Sequence, residues 1–327
     1  MPSALHVDLS FALAAVGAGL VLLAAGGESL VRGATRLARL AGLSTTVIGL
    51  TVVALGTSLP ELMVSLIAAA RGTPDIAVAN VIGSNIANIG LILGLTALLV
   101  SLPVHGSAVR LEWPFMFAAS WIAMLLARDG MFDRLEGGFF VVSLALFTVF
   151  MVYESRVSVG TEESGEIADS VGRRTLKESD RPWVRATSAC VLGAGLLFLG
   201  GRFLVDGAVE LARYAGITER VIGLTLVAVG TSIPELATSL VAAYRGHTEV
   251  AVANVIGSNI YNILGILGVT ALIHPIPVQT ASVQGDLWWM LGVSFLLLPI
   301  LWLRSNLSRI EGGVLLAVYA VYIFTIL

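Results

Sequence analysis

Two glutamates stand out because each lies in the middle of an otherwise apolar segment. Glu61 follows GLTVVALGTSLP and Glu235 follows GLTLVAVGTSIP, so the two acids share one local sequence. An acid at the centre of a membrane-spanning segment costs at least ~2.5 kcal/mol on insertion scales, and such residues usually face an interior cavity and mark an ion path. A matched pair in equivalent surroundings therefore indicates a buried cation site better than it indicates two separate packing residues.

The proline before each glutamate indicates how more oxygen ligands become available. Pro60 and Pro234 lack the N–H that would bond the carbonyl four residues earlier. A carbonyl freed at membrane depth is tolerated only where it lines a cavity or is buried in protein, and a cation would satisfy it. Calcium takes six to eight oxygens from carboxylates, carbonyls and waters. The residues around the prolines supply that chemistry, and we expect them to contribute ligands: Ala54, Thr57, Ser58, Ala228, Thr231 and Ser232.

A second pair of motifs, AVANVIGSNIANIG and AVANVIGSNIYNIL, places polar residues four apart, on one face of a helix. The deepest of them in the predicted span are expected to line the ion site: Ser84, Asn88, Ser258 and Asn262. The other four amides fit either the ion site or a role in holding helices together, and the sequence leaves both open: Asn80, Asn85, Asn254 and Asn259.

The composition requires a membrane around these residues. Of the 327 residues, 57% are hydrophobic and 13% are charged, against roughly 25% charged in soluble domains. A spanning helix needs about 20 mostly apolar residues. Ten segments meet that need: 8–27, 46–70, 75–100, 109–127, 136–153, 185–205, 219–244, 249–273, 284–303 and 310–326. The predicted fold class is an all-α integral membrane protein with ten transmembrane helices, and the net charge of −3 gives no basic surface for nucleic acid.

An internal repeat divides the chain. Of the 48 residues from 49 to 96, 33 are identical to those in 223–270 at a constant offset of 174. Five spans per half is an odd number, so the second half must insert with the opposite orientation. Inverted repeats of this kind are a recurring plan of secondary transporters, with the binding site near the bilayer midplane. We therefore expect a first five-helix repeat in 1–153, a polar linker in 154–184 and an inverted second repeat in 185–327.

The distribution of Lys and Arg predicts the orientation of the chain. If the N-terminus is outside, thirteen of the nineteen basic residues fall on the cytoplasmic side, many of them in the linker. We expect a multi-pass protein of the plasma (inner) membrane with a cytoplasmic linker. The expected surroundings are the lipid bilayer, and the expected working state is a monomer.

The paired segments GTSLPE…GSNIAN and GTSIPE…GSNIYN resemble the two alpha-repeats of the calcium/cation antiporter superfamily, and the similarity is closest to prokaryotic sodium/calcium exchangers. The resemblance covers essentially the whole chain. It implies one calcium site surrounded by sodium sites, with Glu61 and Glu235 as calcium-ligating carboxylates and with Thr57 and Thr231 offering backbone carbonyls. The implied sodium ligands are Ala54, Ser58, Ser84, Ala228, Ser232 and Ser258, while Asn88 and Asn262 flank the centre of the site.

Details of the motifs bear on the coupling ion. Proton-coupled members of the superfamily typically read Gly-Asn where this chain reads Gly56-Thr57, which favours sodium over protons. Potassium-dependent members typically have aspartate at the position of Asn262, so asparagine there argues against co-transport of potassium. The predicted activity is exchange of calcium for sodium by alternating access, with no cofactor and no enzymatic reaction. A proton-coupled calcium antiporter and, after it, a calcium channel remain the alternatives.

Overall fold

The computed structural model describes residues 9–72, 74–104, 108–162, 181–216, 228–278, 281–303 and 306–326. Nearly all of them are helical. The helices of the first half are α1 (Leu9–Ala41), α2 (Thr45–Ile48), α3 (Ala54–Thr57), α4 (Leu59–Ala70), α5 (Pro74–Ala87), α6 (Gly94–Leu99), α7 (Trp113–Leu126) and α8 (Arg134–Glu162). Those of the second half are α9 (Pro182–Tyr214), α10 (Ala228–Gly230), α11 (Ile233–Tyr244), α12 (Thr248–Ile260), α13 (Gly268–Ile273), α14 (Ala281–Leu303) and α15 (Arg309–Ile326).

Wider π-helical turns join several of these helices into longer ones. Asn88–Leu93 connects α5 to α6, and Tyr261–Leu267 connects α12 to α13. Two more lie in the first half, Gly49–Val53 between α2 and α3 and Ala108–Glu112 before α7. Turns of this kind occur frequently at functional sites, and the first two contain the predicted site residues Asn88 and Asn262.

The helix breaks lie directly before the two glutamates. The axes of α2–α3 and α4 differ by 46° at a break at Ser58, and a second break separates α10 from α11 at Ser232. Both serines have nearly the same backbone conformation, with φ, ψ of −84°, 7° and −87°, 5°. A proline stands in the first turn of each following helix, where its missing N–H costs nothing. The proline signal in the sequence therefore marks a restart of the helix more than a kink within it.

Two short antiparallel strand pairs tie the halves together. Strand β1 (Leu102–Pro103) pairs with β4 (Asn306–Leu307), and β2 (Met131–Phe132) pairs with β3 (Ile276–Pro277). Strands β1 and β3 follow equivalent helices, α6 and α13, in the two halves. Each pair therefore joins one strand of the first half to one of the second, and the two pairings are reciprocal.

Helices α1 and α9, which open the two halves, pack against each other along their length. A Cβ added at Gly19 would lie 2.6 Å from the backbone N of Leu204, and one added at Gly33 would lie 2.8 Å from the backbone N of Cys190. Residue numbers rise along α1 as they fall along its partner, so these equivalent helices run antiparallel. Small residues permit this close backbone approach.

The last helix of each half, α8 or α15, packs against a helix of the other half, and these two contacts are also reciprocal. Helix α8 packs on α13 of the second half, and α15 packs on α6 of the first. Both closing helices begin with a capping box. In α8, the Glu136 carboxylate accepts the Asp133 N–H at 2.9 Å while the Asp133 carboxylate accepts the Glu136 N–H at 2.8 Å. In α15, the Glu311 carboxylate accepts the Ser308 N–H at 2.7 Å.

Burial separates a central layer of helices from an outer one. In the spans Ile76–Leu99 and Thr248–Ile273, 72% of the most apolar stretch is buried, against 22–28% in α1, α8 and α9. The outer helices accordingly expose large apolar side chains, such as Leu135 and Phe11, as expected of surfaces that face lipid. The central pair carries the predicted polar stripe, so the polar residues lie inside the bundle.

Within the described ranges, six helices are long and apolar enough to cross a membrane, and seven if the bent α2–α4 unit counts as one span. The all-helical membrane fold predicted from the sequence is confirmed. Helix α1 continues to Ala41, beyond the predicted end at residue 27, because the amphipathic stretch LVRGATRLARLA extends its buried face. Helix α8 likewise continues into the predicted linker as far as Glu162, and the predicted span 219–244 is described only from residue 228.

Candidate functional site: a buried pair of carboxylates

The two glutamates lie in the first turns of α4 and α11, where the helix dipole favours an acid. Each is only 1% exposed. No Lys, Arg or His is buried anywhere in the described part of the chain. The negative charge of the pair therefore has no counter-charge from a basic side chain in the interior, and a buried charge without a partner is strongly unfavourable.

Each half of the chain holds the carboxylate of the other half. The Ser58 hydroxyl donates to Glu235 Oε1 at 3.0 Å, and the Ser232 hydroxyl donates to Glu61 Oε1 at 3.4 Å. The two helix breaks therefore face each other across the centre of the molecule. The sequence predicted these four residues as ligands of one site, and the structure brings them together.

Asn80 and Asn254 fix the helices that carry the glutamates. The Asn80 amide donates to the Glu61 carbonyl at 3.1 Å and to Ser65 Oγ at 3.0 Å, which joins α5 to α4. The Asn254 amide donates to Ser239 Oγ at 3.0 Å and, more weakly, to the Glu235 carbonyl at 3.5 Å. Of the two roles left open by the sequence, these contacts describe one that holds helices together.

Four amides form a reciprocal network between the central helices. Asn88 Nδ2 donates to Asn259 Oδ1 at 3.0 Å, and Asn262 Nδ2 donates to Asn85 Oδ1 at 3.0 Å. All four side chains are 1% exposed. Asn85 and Asn259 thus bond to the predicted ligands Asn88 and Asn262 across the two halves.

A set of buried oxygens at these elements has no hydrogen-bond partner in the described structure. Such orphaned polar atoms are rare in folded proteins and call for an explanation, such as an ion. Six of these atoms form equivalent pairs from the two halves, and Thr231 Oγ1 and Thr238 Oγ1 add two without a counterpart. The pairs are Glu61 Oε2 and Glu235 Oε2, Ser84 Oγ and Ser258 Oγ, and Asn88 Oδ1 and Asn262 Oδ1. Six oxygens, two of them from carboxylates, match the donor chemistry that a hard cation such as calcium prefers.

The donor set contains few charged groups. In the part of the chain that the structure describes, no three His, Cys, Asp or Glu side chains come together in a way that could hold a metal ion. Any cation between the two breaks would therefore be held by two carboxylates and by neutral hydroxyl, amide and carbonyl oxygens. Oxygen ligands of this kind suit calcium and sodium and do not suit soft metals.

The remaining predicted residues lie on the same elements. Thr57 is fully buried at the end of α3, and its one hydroxyl hydrogen is shared between two acceptors, the Ala54 carbonyl at 3.2 Å and Asn254 Oδ1 at 3.4 Å. Thr231 lies at the second break, half buried. Ala228 begins α10, but its side chain lies outside the described set.

Sequence analysis missed three buried residues. Met116 Sδ accepts a hydrogen bond from Asn259 Nδ2, and Met290 Sδ accepts one from Asn85 Nδ2, both at 3.6 Å. The offset of 174 relates these two methionines, so the repeat itself was the signal that could have found them. The third is Glu112, a 1% exposed acid at the end of the π-helical turn before α7.

The family model of the sodium/calcium exchanger protein matches residues 11–153 and 186–327. The chain belongs to this family. The resemblance carried by the paired motifs is thereby confirmed, and the family is one of exchangers and not of enzymes. The gap between the two matched segments coincides with the polar stretch between the halves.

Relatives match along almost their full length. The chain is 38% identical over 313 residues to the putative antiporter CaxA of Alkalimonas amylolytica, with 93% of this chain and 95% of the relative covered. It is 39% identical over 300 residues to the inner membrane protein YrbG of Escherichia coli, with 91% of both covered. It is 32% identical over 333 residues to the sodium/calcium exchanger MaX1 of Methanosarcina acetivorans, with 93% and 95% covered.

A solved structure has the same fold. The sodium-calcium exchanger NCX_Mj, soaked with zero sodium and calcium, superimposes with a TM-score of 0.82 at 30% sequence identity. The match covers 98% of this chain and all of that one. The chain is therefore a multi-pass membrane protein with the fold of that exchanger.

Proposed function

We propose that this protein is a secondary active antiporter that exchanges calcium for sodium across the membrane by alternating access. The observation that carries the proposal is the set of orphaned buried oxygens, among them one from each glutamate carboxylate, on elements that pack against each other across the two halves. Membership of the sodium/calcium exchanger family supports the choice of ions.

Charge balance explains why such a site exchanges ions. When both carboxylates are ionised, one calcium ion or two sodium ions neutralise them. An empty, doubly charged site is costly to enclose in a low-dielectric interior. Loaded states are therefore the ones that can move, which is the requirement for obligatory exchange.

The proposed ligand set is the one expected from the sequence. Glu61 and Glu235 would bind calcium with the backbone carbonyls of Thr57 and Thr231. The hydroxyls and carbonyls of the residues around them would bind sodium: Ala54, Ser58, Ser84, Ala228, Ser232 and Ser258. Asn88 and Asn262 would contribute the amide oxygens that have no partner among the described residues.

The proposed architecture is two inverted repeats of five spans, 1–153 and 185–327, separated by the linker 154–184. The antiparallel packing of the equivalent helices α1 and α9 supports the inversion. So do the reciprocal contacts of α8 with α13 and of α15 with α6. The bias of Lys and Arg supports an N-terminus outside and a cytoplasmic linker in the plasma (inner) membrane.

Alternating access fits the enclosure of the site better than a channel does. Both glutamates are 1% exposed, so in this conformation the carboxylates are closed to solvent on either side. A channel usually uses rings of acids along a continuous path. A site enclosed between two halves, with one acid from each, instead suits a mechanism in which one half rocks or slides against the other.

Transport into proteoliposomes tests the proposal. Vesicles loaded with sodium are diluted into sodium-free buffer containing radiolabelled calcium, with pH gradients collapsed and potassium varied. We expect uptake that requires internal sodium and ignores potassium. Uptake that instead follows an imposed pH gradient would make the protein a proton-coupled antiporter, and uptake without any counter-gradient would make it a channel.

A further inference from the structure

We infer that Asn85 and Asn259 are positioning residues for the cation, which hold the amides of Asn262 and Asn88 with the carbonyl oxygen turned toward it. The inference rests on the proposed function and adds residues that are not ligands themselves. It follows from the direction of the hydrogen bonds in the buried network that ends at Met116 and Met290.

The polarity of the network is set at the methionines. A thioether sulfur accepts hydrogen bonds weakly and has no hydrogen to donate. Because Asn259 contacts Met116 Sδ at 3.6 Å, the atom facing the sulfur must be the amide nitrogen. Asn259 Oδ1 is then turned toward Asn88, where it accepts the amide nitrogen of Asn88 at 3.0 Å. The carbonyl oxygen of Asn88 is left as the free end, and it has no partner in the described structure.

The other half repeats the arrangement with one more constraint. Asn85 Nδ2 donates to Met290 Sδ at 3.6 Å and also to the backbone carbonyl of Asn259 at 3.3 Å. Both are groups that only accept, so Asn85 Oδ1 must face Asn262 and take its amide nitrogen at 3.0 Å. Asn262 Oδ1 is then the free end in this half.

This polarity matters because the two ends of an amide have opposite effects on a cation. A carbonyl oxygen binds it, and an NH2 group in the same place repels it. Asparagine can rotate about its last bond and exchange the two ends with little change of shape. Outer partners that fix ligand orientation typically contribute about 10- to 100-fold in metal affinity. Asn85 and Asn259 supply that constraint here.

The test removes the acceptor that orients the Asn88 amide, first in the native chain and then in a variant in which the rotation of residue 88 does not matter. Asn259→Leu deletes the acceptor for Asn88 with an apolar side chain of similar size. We expect calcium to bind the purified protein about 10- to 100-fold more weakly in titration calorimetry. Asn88→Asp replaces the amide by a carboxylate, which presents an oxygen in either rotation. In the Asn88→Asp background, Asn259→Leu should therefore cost much less than it does in the native background.

Two outcomes would overturn the inference. One is an equal loss of affinity from Asn259→Leu in both backgrounds, which is the behaviour of a residue that only packs. The other is unchanged affinity in the native background. Melting of the calcium-free variants in detergent controls for folding. If Asn259→Leu does not fold, Met116→Leu is the milder variant, since it keeps the volume and removes only the acceptor that orients Asn259.

The mirror set gives an independent measurement with Asn85→Leu, Asn262→Asp and Met290→Leu. Met290→Leu should weaken binding less than Met116→Leu, because the Asn259 carbonyl still orients Asn85. Sodium-driven transport is measured separately. Calcium binding with the expected dependence but without sodium-driven uptake would defeat the exchange proposal and leave the positioning role standing. Sodium-driven uptake with equal losses in both backgrounds would defeat the positioning role alone.

Discussion

The two halves of the site carry the same residues in the same places, yet they do not hold each other equally. Ser58 of the first half reaches Glu235 at 3.0 Å, whereas Ser232 of the second half reaches Glu61 at 3.4 Å. The Thr57 hydroxyl bonds Asn254 across the halves at 3.4 Å. The Glu235 carboxylate therefore accepts the shorter of the two serine hydrogen bonds.

The two halves also differ in residues next to the repeated motifs. Within the repeat, Val64 is replaced by Thr238 one turn after the glutamate, and Ala87 is replaced by Tyr261 beside the buried amides. Thr238 is fully buried. The comparison teaches that the repeat preserves the oxygens of the candidate site, while residues next to them differ between the halves.

The largest expected effect comes from removing either negative charge. Glu61→Gln and Glu235→Gln keep the shape of the side chain but leave one charge in the site, which no longer balances a calcium ion. We expect sodium-dependent calcium uptake to fall to the level of empty liposomes in both variants, with the fold intact by gel filtration and melting. Robust exchange by well-folded Glu235→Gln protein would rule out a site that needs both carboxylates.

Much of the candidate site could be predicted from the sequence because the repeat acts as an internal comparison, and its role in ion binding stays a prediction. The pairs Glu61/Glu235 and Ser58/Ser232 were predicted together, and in the structure each hydroxyl bonds the glutamate of the opposite half. Which role the amides play did not follow, because a helical period places Asn80 and Asn88 on one face without saying what lies opposite. The bond from Asn88 to Asn259 joins residues 171 apart in the chain, and only the packing of the π-helical turn Asn88–Leu93 against α12 brings them together.

The fold was predictable at the level of class, and the ends of its helices were not. Apolar length predicted ten spans, and within the described ranges six helices, or seven with the bent α2–α4 unit, are long and apolar enough to cross a membrane. Apolar length could not show that α1 continues to Ala41, because that last part buries a narrow face among charged residues. Met116 and Met290 were missed for another reason. Methionine in an apolar segment gives no signal of its own, since a sulfur that accepts a hydrogen bond has the same sequence pattern as one that packs.

The second prediction compares the hydroxyls of Ser58 and Ser232, each of which bonds the glutamate of the opposite half. A hydrogen bond to a charged group contributes about 1.5–3 kcal/mol, and about 1.4 kcal/mol is a tenfold change in affinity. Ser58→Ala should therefore weaken calcium binding by about 10- to 100-fold, since it releases Glu235. Ser232→Ala should have the smaller effect because its bond is longer. Titration calorimetry on both variants makes the comparison, and a larger loss from Ser232→Ala would reverse the order of anchoring.

A third prediction concerns the interface between α1 and α9, to which each half contributes its equivalent helix. A Cβ at Gly193 of α9 would lie 2.5 Å from the backbone N of Leu30, and one at Gly19 would lie 2.6 Å from that of Leu204. Gly193→Ala and Gly19→Ala should each destabilise the protein by about 1–3 kcal/mol through overpacking. Gly195 is the matched control, because a Cβ there meets nothing within 4 Å. Equal melting temperatures for Gly193→Ala and Gly195→Ala in detergent would contradict the close packing of α1 on α9.

The smallest expected effect concerns an ion pair whose equivalent positions in the other half carry different charges. Glu28 of α1 accepts from Arg245 at 2.7 Å and also pairs with Arg32. The offset of 174 relates Glu28 to Arg202 and relates Arg245 to Arg71, so the mirrored pair would be two arginines. Within the described ranges, no ion pair involves Arg71, which makes it the matched control.

Because the Arg245 side chain is 57% exposed, solvent screens this ion pair, and exposed pairs contribute about 0–1 kcal/mol. Arg245→Ala should therefore lower the melting temperature slightly more than Arg71→Ala does at low salt. At about 1 M salt the screening length falls to roughly 3 Å, and the difference between the two variants should disappear. A difference that survives high salt would mean that the Arg245 stem stabilises the α1 contact by packing and not by charge.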